Sequence, residues 1–224
     1  MPIKIDPHIH SIYSDGYGRI EEILRIAKLK NLDGIAITDH NTIKGYLKAK
    51  QINNDKQFII IPGIEVETDA GHIIILGIED EPPRRGKMKY EEAIEWAKEN
   101  NGLTILAHPA IGRFKLEKWI KNKPNAIEVI NSLYPASILI NRGLKLAEKL
   151  KLPKTAGSDA HHPEDIANAY TTINVNSPEI DEILEAIRRG EIEFNGKLSP
   201  LKTRIKIGLS YALKNLIYKA LEKH

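Results

Sequence analysis

The sequence predicts an α/β chain folded into one closed or nearly closed barrel. Three observations point there. Apolar, β-branched runs alternate with helical patterns along almost the whole chain, which implies parallel strands joined by right-handed crossovers. Seven or eight such strands can be read, and no composition shift, repeat, low-complexity stretch or linker divides them. The length, 224 residues, is long for an ordinary domain and normal for a single α/β barrel. A doubly wound open sheet is the alternative.

Ile3–Ile9 reads as the first strand. Ile20, Ile23, Leu24 and Ala27 fall on one face of a helix over 20–30. Gly34–Thr38 is the second strand, and a helix follows from about Thr42 to Asn53. Phe58–Glu65 is the third strand, interrupted by Pro62-Gly63, and His72–Ile78 the fourth. Residues 79–89 are rich in proline and charge and predict a loop. Tyr90–Asn100 is a helix with Gly102 as its stop signal. A strand over Leu103–Ala107, a short helix over Lys115–Asn122, a strand over Ala126–Ile130 and a helix over Pro135–Lys151 come next. Leu152–Ala156 and Ala169–Val175 are the last strands, and Gly190 ends a helix over Pro178–Arg189. Beyond Pro200, Ile205, Leu209, Ala212, Leu213, Leu216, Ile217, Ala220 and Leu221 recur at helical spacing. They predict an amphipathic C-terminal helix over 202–224, packed on a barrel domain of residues 1–201. That helix carries six Lys/Arg and one Glu. Its basic face is read as solvated, with a subunit contact or an electrostatic aid to an RNA or nucleotide substrate as the sharper alternative.

Composition is that of a soluble globular protein, 42% hydrophobic and 28% charged. No run approaches the ~18 apolar residues of a membrane span. The opening Met-Pro-Ile-Lys-Ile-Asp enters a strand at once and does not read as a signal peptide. The bias to Ile, Lys and Glu, with two Met and no Cys, fits a thermophile's cytoplasm. Without cysteine there is no disulfide, no thiolate metal site and no cysteine nucleophile, so any metal must be held by nitrogen and oxygen. The net charge of +3 is too small to argue for nucleic acid by itself.

The candidate metal ligands track the strand ends. His8 and His10 alternate along the first strand and so project together, with Asp15 soon after. Asp39 and His40 follow the second strand, Glu65 ends the third, His108 follows the fifth, Asn131 the sixth, and Asp159 and His161 the seventh. In a parallel barrel these ends converge on the face that carries the chemistry. With His72, which opens the fourth strand, six of the eight histidines lie at strand ends; His162 and His224 do not. Glu65 follows Phe58-Ile59-Ile60-Ile61, a setting in which a lone carboxylate is costly unless paired or metal-bound. His72 opens the fourth strand, the wrong end for a parallel strand but the right one if the third and fourth strands form a hairpin. Glu67 and Asp69 read as solvated turn residues. Asp39 reads either as an orienting partner of His40 or as a helix cap.

The stretches Asp6-Pro7-His8-Ile9-His10, Thr38-Asp39-His40-Asn41, Pro62-Gly63-Ile64-Glu65, Ala107-His108-Pro109 and Gly157-Ser158-Asp159-Ala160-His161 resemble, in order, the motifs of the PHP (polymerase and histidinol phosphatase) superfamily of metal-dependent phosphoesterases. The resemblance runs from residue 3 to about 175. It implies a distorted (β/α)7 TIM-like barrel and two or three divalent ions of manganese, iron or zinc. Carried over by motif, His8, His10, Glu65 and Asp159 would hold the first metal. Glu65 would bridge to a second, bound also by His108. Asp15, His40 and His161, with His72 as a further candidate, would hold a third. Trinuclear members often have a histidine where this chain has Asn131, so the second site would be weak or completed by water.

Two divalent ions a few Å apart would acidify a shared water and clamp a phosphate, leaving no need for a protein nucleophile. Asp159, Glu65 and His161 are the candidate catalytic residues, with Asp159 orienting the water or accepting its proton. His108 and Arg113 are the candidates for contacting the substrate's phosphate, Arg113 through its planar guanidinium. Lys44, Arg19 and Arg142 are less favoured cations. The leading substrate class is a small phosphoester, a nucleoside 3′,5′-bisphosphate or short RNA, with histidinol phosphate second. A non-catalytic protein- or RNA-binding barrel would be free to lose this ligand set. A C–N hydrolase commonly needs a strand-end lysine that is lacking here.

Overall fold

The computed structural model describes residues 1–84, 86–111 and 115–209. Its strands are β1 (Pro2–Ile9), β2 (Gly34–Ile37), β3 (Ile59–Ile61), β4 (Gly63–Thr68), β5 (Gly71–Leu76), β6 (Leu103–Leu106), β7 (Ala126–Asn131), β8 (Lys154–Gly157), β9 (Ala169–Asn174) and β10 (Ile192–Gly196). The helices are α1 (Ile20–Leu29), α2 (Lys44–Ile52), α3 (Tyr90–Glu99), α4 (Leu116–Lys121), α5 (Ile138–Leu150) and α6 (Ile180–Arg189). Residues 201–209 are helical too, and the rest of the amphipathic pattern lies outside the described residues. Among the described residues no helix is long and apolar enough to cross a membrane.

Hydrogen-bond ladders form two five-stranded sheets, ordered β10-β9-β1-β2-β3 and β4-β5-β6-β7-β8. Only part of the expected parallel pairing is seen. β1–β2, β2–β3, β6–β7 and β7–β8 are parallel. By contrast β4–β5, β5–β6, β1–β9 and β9–β10 are antiparallel. The β4–β5 link is the two residues Asp69 and Ala70, and so short a loop can only reverse the chain. The third predicted strand is two strands in different sheets. Pro62 separates them because it has no N–H to continue a ladder. Gly63 then passes close under β2, where a Cβ would lie 2.9 Å from the Ile37 carbonyl oxygen. β10 was not anticipated: Glu193, Asn195 and Gly196 leave it no apolar run, and it pairs as an edge strand.

The apolar residues form three layers. Ile3, Ile5, Ile74, Leu76, Leu103 and Ile105, drawn from both sheets, pack between them with Ile183, Leu184 and Ile187 of α6. α1 and α2 cover the outer face of the first sheet through Ile20, Ile23, Leu24, Ala27 and Ala49. α3, α4 and α5 cover the second through Ala93, Ala97, Trp119, Leu146, Ala147 and Leu150. This matches the amphipathic spacing of the helices, whose buried stripes face a sheet.

The sheets meet along two seams. At one, the Asp159 N–H donates to the His8 carbonyl (2.8 Å) and the His10 N–H to the Ala160 carbonyl (3.0 Å). At the other, the Asn41 N–H donates to the Glu65 carbonyl (2.9 Å) and the Glu65 N–H to the Asp39 carbonyl (3.2 Å). The seams fall at the strand ends that carry the histidines.

Candidate metal centre

Strand irregularity aims the first two histidines. Ile3 and Ile5 of β1 face the core between the sheets, whereas Ile9 packs with α1 on the outer face. Strict alternation from Ile5 would turn His8 outward. A register shift between Asp6 and Ile9 changes the parity, so His8 and His10 face inward. β7 repeats the device. Its shift between Glu128 and Ile130 lets Glu128 and Asn131 both reach the site.

Glu65, 1% exposed, is the hub. Its Oε1 lies 3.0 Å from His108 Nε2, 3.1 Å from His72 Nδ1 and 3.6 Å from His8 Nε2. Its Oε2 lies 3.1 Å from His40 Nδ1 and 3.3 Å from His10 Nε2. Asp159 Oδ1 lies 3.2 Å from His10 Nε2 and 3.5 Å from His8 Nε2. Asp15 completes the group, 3.3 Å from His161 Nε2, 3.5 Å from His10 Nδ1 and 3.6 Å from His40 Nε2. All nine residues expected from the sequence as ligands therefore meet in one cluster, His72 included, because the β4–β5 hairpin returns it beside Glu65.

The cluster is electrostatically divided. Burial alone would raise the Glu65 carboxyl, but the imidazoles of His40, His72 and His8 outweigh it and hold it well below the usual carboxylate range. Asp159 and Asp15 are lowered likewise, against burial, by their histidine neighbours. Burial disfavours charge on His10, yet Asp159 and Glu65 prevail and raise it to about 10. At His40 burial wins and lowers it to about 4.

Four triads have ligand atoms within 4.8 Å of one another: His8-Glu65-His108, His8-His10-Asp159, His10-Asp15-His161 and His10-His40-Glu65. Among the described residues, His10 Nδ1, His40 Nδ1 and Glu65 Oε2 are buried without a hydrogen-bond partner. Buried polar atoms are normally satisfied, so atoms of this kind converging at ligand spacing fit divalent cations. The all-nitrogen-and-oxygen donor set is one that divalent metals accept.

A supporting shell surrounds the cluster, and its chief member escaped the sequence reading. Glu128, buried in β7, accepts from His8 Nδ1 (2.9 Å), the His108 N–H (2.8 Å) and Asn131 Nδ2 (2.9 Å). Asn131 Nδ2 also donates to Asp159 Oδ2 at 3.1 Å. Asn131 thus joins two acids, Glu128 and Asp159. The available signal was a carboxylate inside the apolar run Ala126–Asn131. His161 Nδ1 meets the Asp159 carbonyl at 2.8 Å, which leaves Nε2 for the centre. Gly157 is required by the close approach of this shell, since a Cβ would sit 2.6 Å from both Glu128 Oε1 and His8 Cβ. Asp39 serves neither role expected of it. It binds the Ser11 N–H (2.8 Å) and the Ser11 and Ser14 hydroxyls (both 2.6 Å), fixing the loop that carries Asp15. Burial pushes the Asp6 carboxyl up to about 6 even though it accepts N–H donors from Ser158 and Ala167. His108 and Asp159 have positive φ, 30° and 54°, a conformation that costs side-chain-bearing residues about 1–3 kcal/mol each and clusters at functional sites.

A cleft of about 660 Å³ opens beside the cluster. His72, His108 and Asp159 border it, Trp119, Leu133 and Ile207 give it apolar walls, and Lys115 and Arg204 supply positive charge. Arg113 lies outside the described residues, and Lys44, Arg19 and Arg142 are not among the cleft's lining. Glu67 borders the cleft, whereas Asp69 binds Lys118 (2.6 Å) and the Tyr90 N–H (3.0 Å). His162 stands apart, stacked on Tyr17.

Known proteins resemble this chain in sequence and in fold. A family profile described as PHP-associated matches residues 140–192. An uncharacterized protein of Methanocaldococcus jannaschii is 33% identical over 168 residues, 69% of this chain and 96% of that protein. A shorter match, 32% identical over 84 residues, joins 35% of this chain to 32% of a phosphoribosyl 1,2-cyclic phosphate 1,2-diphosphodiesterase of Eggerthella lenta. Among solved structures, a two-domain protein of Bacteroides vulgatus containing a predicted PHP-like metal-dependent phosphoesterase superposes with a TM-score of 0.74 at 18% identity. That superposition covers 88% of this chain and 65% of that one, and at such identity the likeness is one of fold. With the motifs, their order along the chain and their convergence on Glu65 all in agreement, this chain belongs to the PHP superfamily.

Proposed function

We propose that the protein is a metal-dependent hydrolase of phosphoesters, acting on a nucleotide such as a nucleoside 3′,5′-bisphosphate or a short RNA. The observation that carries this reading is the Glu65 carboxylate surrounded by His8, His10, His40, His72 and His108 at the border of an open cleft. His8, His10, Glu65 and Asp159 would hold one ion, Glu65 and His108 a second, and Asp15, His40 and His161 a third, with His72 beside Glu65. When bound, manganese, iron or zinc ions supply an acidified water and a clamp for phosphate oxygens. We also read the two sheets as a distorted (β/α)7 barrel over residues 1–201, with residues 202–224 as a helix laid against it.

The chain's own residues then do the following. Glu128 accepts from His8 Nδ1 and so keeps His8 Nε2 turned to the centre. The Asp159 carbonyl does the same for His161. Asn131 holds Asp159 Oδ2, which leaves Oδ1 facing His8 and His10. Asp159 borders both the cluster and the cleft, so it is the carboxylate placed to accept a proton from an attacking water. His108 and His72 line the side from which a phosphate enters. The cleft has the volume of a small-molecule site, and its apolar walls suit a flat organic group beside the phosphate. Hydrolysis of a cyclic phosphate diester by the Eggerthella lenta relative is chemistry of the same class.

The test joins elemental analysis of the purified protein to assays with manganese, iron and zinc against adenosine 3′,5′-bisphosphate, short RNA and histidinol phosphate. Hydrolysis of the first two is expected. Bound metal with no turnover of any phosphoester would overturn the reading.

A further inference from the structure

Arg204 lies in the helical run 201–209 and is gripped by main-chain oxygens. Its Nε donates to the Ser199 carbonyl (2.8 Å), and its Nη1 to the carbonyls of Tyr134 (3.1 Å) and Pro135 (2.6 Å). These bonds use the proton on Nε and both on Nη1, which fixes the guanidinium plane. The two N–H groups of Nη2 have no partner among the described residues. The same segment is latched a second way, independent of this side chain. The Ser199 N–H donates to the Ser132 carbonyl (2.8 Å), and the Ser199 hydroxyl meets the Ser132 hydroxyl (2.8 Å) and Asn168 Nδ2 (2.9 Å).

The charge balance at Arg204 is unlike that of Arg188 and Arg189. Arg188 pairs with Glu185, and Arg189 with Glu182 and Glu191. Arg204 has no carboxylate within ion-pair distance among the described residues. Carbonyl oxygens carry no net charge, so its cation is oriented but not neutralised. It borders the same cleft as His72, His108 and Asp159, and Lys115 adds a second cation there. A scissile phosphate held at the histidine–carboxylate cluster would not need these cations.

We propose that Arg204 is a specificity-determining residue that binds, through Nη2, a second anionic group of the substrate in the Asp159-bordered cleft. This assignment rests on the phosphoesterase reading of the same site, and it selects substrates bearing two separate acidic groups over simple monoesters. Guanidinium-to-phosphate hydrogen bonds are charge-assisted, and losing one costs about tenfold or more in affinity.

The test compares wild type, Arg204→Ala, Arg204→Lys and Ser199→Ala, each manganese-loaded, on adenosine 3′,5′-bisphosphate and on p-nitrophenyl phosphate. Arg204→Ala is expected to raise KM for the bisphosphate about tenfold or more. Its kcat, its manganese content and its turnover of p-nitrophenyl phosphate should stay within about twofold of wild type. Arg204→Lys should restore part of the loss, because it keeps the charge but not the planar donors. Ser199→Ala loosens the latch and leaves the charge, so it should not change the preference between the two substrates. An equal fall on both substrates, or no change on either, would overturn the assignment. Calorimetric titration of metal-stripped protein with adenosine 3′,5′-bisphosphate separates the two proposals. Binding that weakens in Arg204→Ala, from a protein that hydrolyses neither compound, keeps the subsite and removes the hydrolase. Absence of both binding and hydrolysis removes both.

Discussion

Single side chains near Glu65 have distinct jobs. His10 touches Glu65, Asp159 and Asp15 within 3.5 Å, so it is shared by more of the acids than any one ion would need. His10→Ala should therefore bind less manganese and lose about a hundredfold or more in turnover, measured on protein whose circular dichroism matches wild type. Full activity in that variant would remove His10 from the mechanism. Glu128 acts one step back, through His8 and the His108 N–H. Glu128→Gln keeps the shape but weakens the acceptor, and outer-shell changes of this kind cost about 10–100-fold in metal affinity or activity. Manganese titration followed by calorimetry would measure it; an unchanged affinity would show that His8 is oriented by packing alone. The residues carrying these predictions differ in how readily they are read from sequence. His-x-His and Ser-Asp-Ala-His are local patterns whose side chains must project together. Glu128 has no such pattern, and its role exists only because β7 lies beside β8 and near β1.

At the scale of elements, the site depends on two strands that break their own alternation. The shifts in β1 and β7 place His8, His10, Glu128 and Asn131 on the inner side together. Gly157 at the end of β8 makes room where those strands converge. Gly157→Ala would push a methyl against Glu128 Oε1 and His8 Cβ, overpacking that typically costs about 1–3 kcal/mol. For a chain of this size, that is a fall in Tm of roughly 2–12 °C, and it should come with weaker manganese binding. A thermal melt unchanged by the substitution would mean that the strands can separate there without cost. Apolar periodicity revealed most strands and helices, and missed β10 because an edge strand buries too little to need an apolar run. The split at Pro62 was visible as an interruption, but the direction of pairing beyond it was not. A two-residue connection forces β4 and β5 antiparallel, but the long β5–β6 connection, which carries α3, permits either direction and is antiparallel here, and strand composition signals neither.

For the whole molecule, the ligands sit where two sheets are joined by few backbone bonds: His8 and His10 face Asp159 and His161 across one seam, and His40 faces Glu65 across the other. Ions held by residues from both sheets would cross-link them. Ligand that binds only the folded state stabilises by mass action, about 2.7 kcal/mol at a hundredfold excess over Kd. Chelation should therefore lower the Tm of the wild-type protein by several degrees, and added manganese should restore it. The same cycle on His10→Ala should give a much smaller shift. A melting temperature indifferent to chelator in protein shown to bind manganese would mean that the seams hold without it.

The amino-acid order by itself determined which side chains are available for chemistry, where they fall relative to strand ends, and the family to which the motifs belong. Those are properties of short stretches, set by backbone period and by the cost of leaving acids in apolar runs. Only the tertiary structure decided that the strands divide into two sheets, that His72 is turned back to Glu65, that Asn131 clamps two acids, and that Arg204 borders the cleft. Each of these depends on contacts between segments far apart in the chain, and no local period encodes which distant carbonyl or carboxylate a side chain will meet.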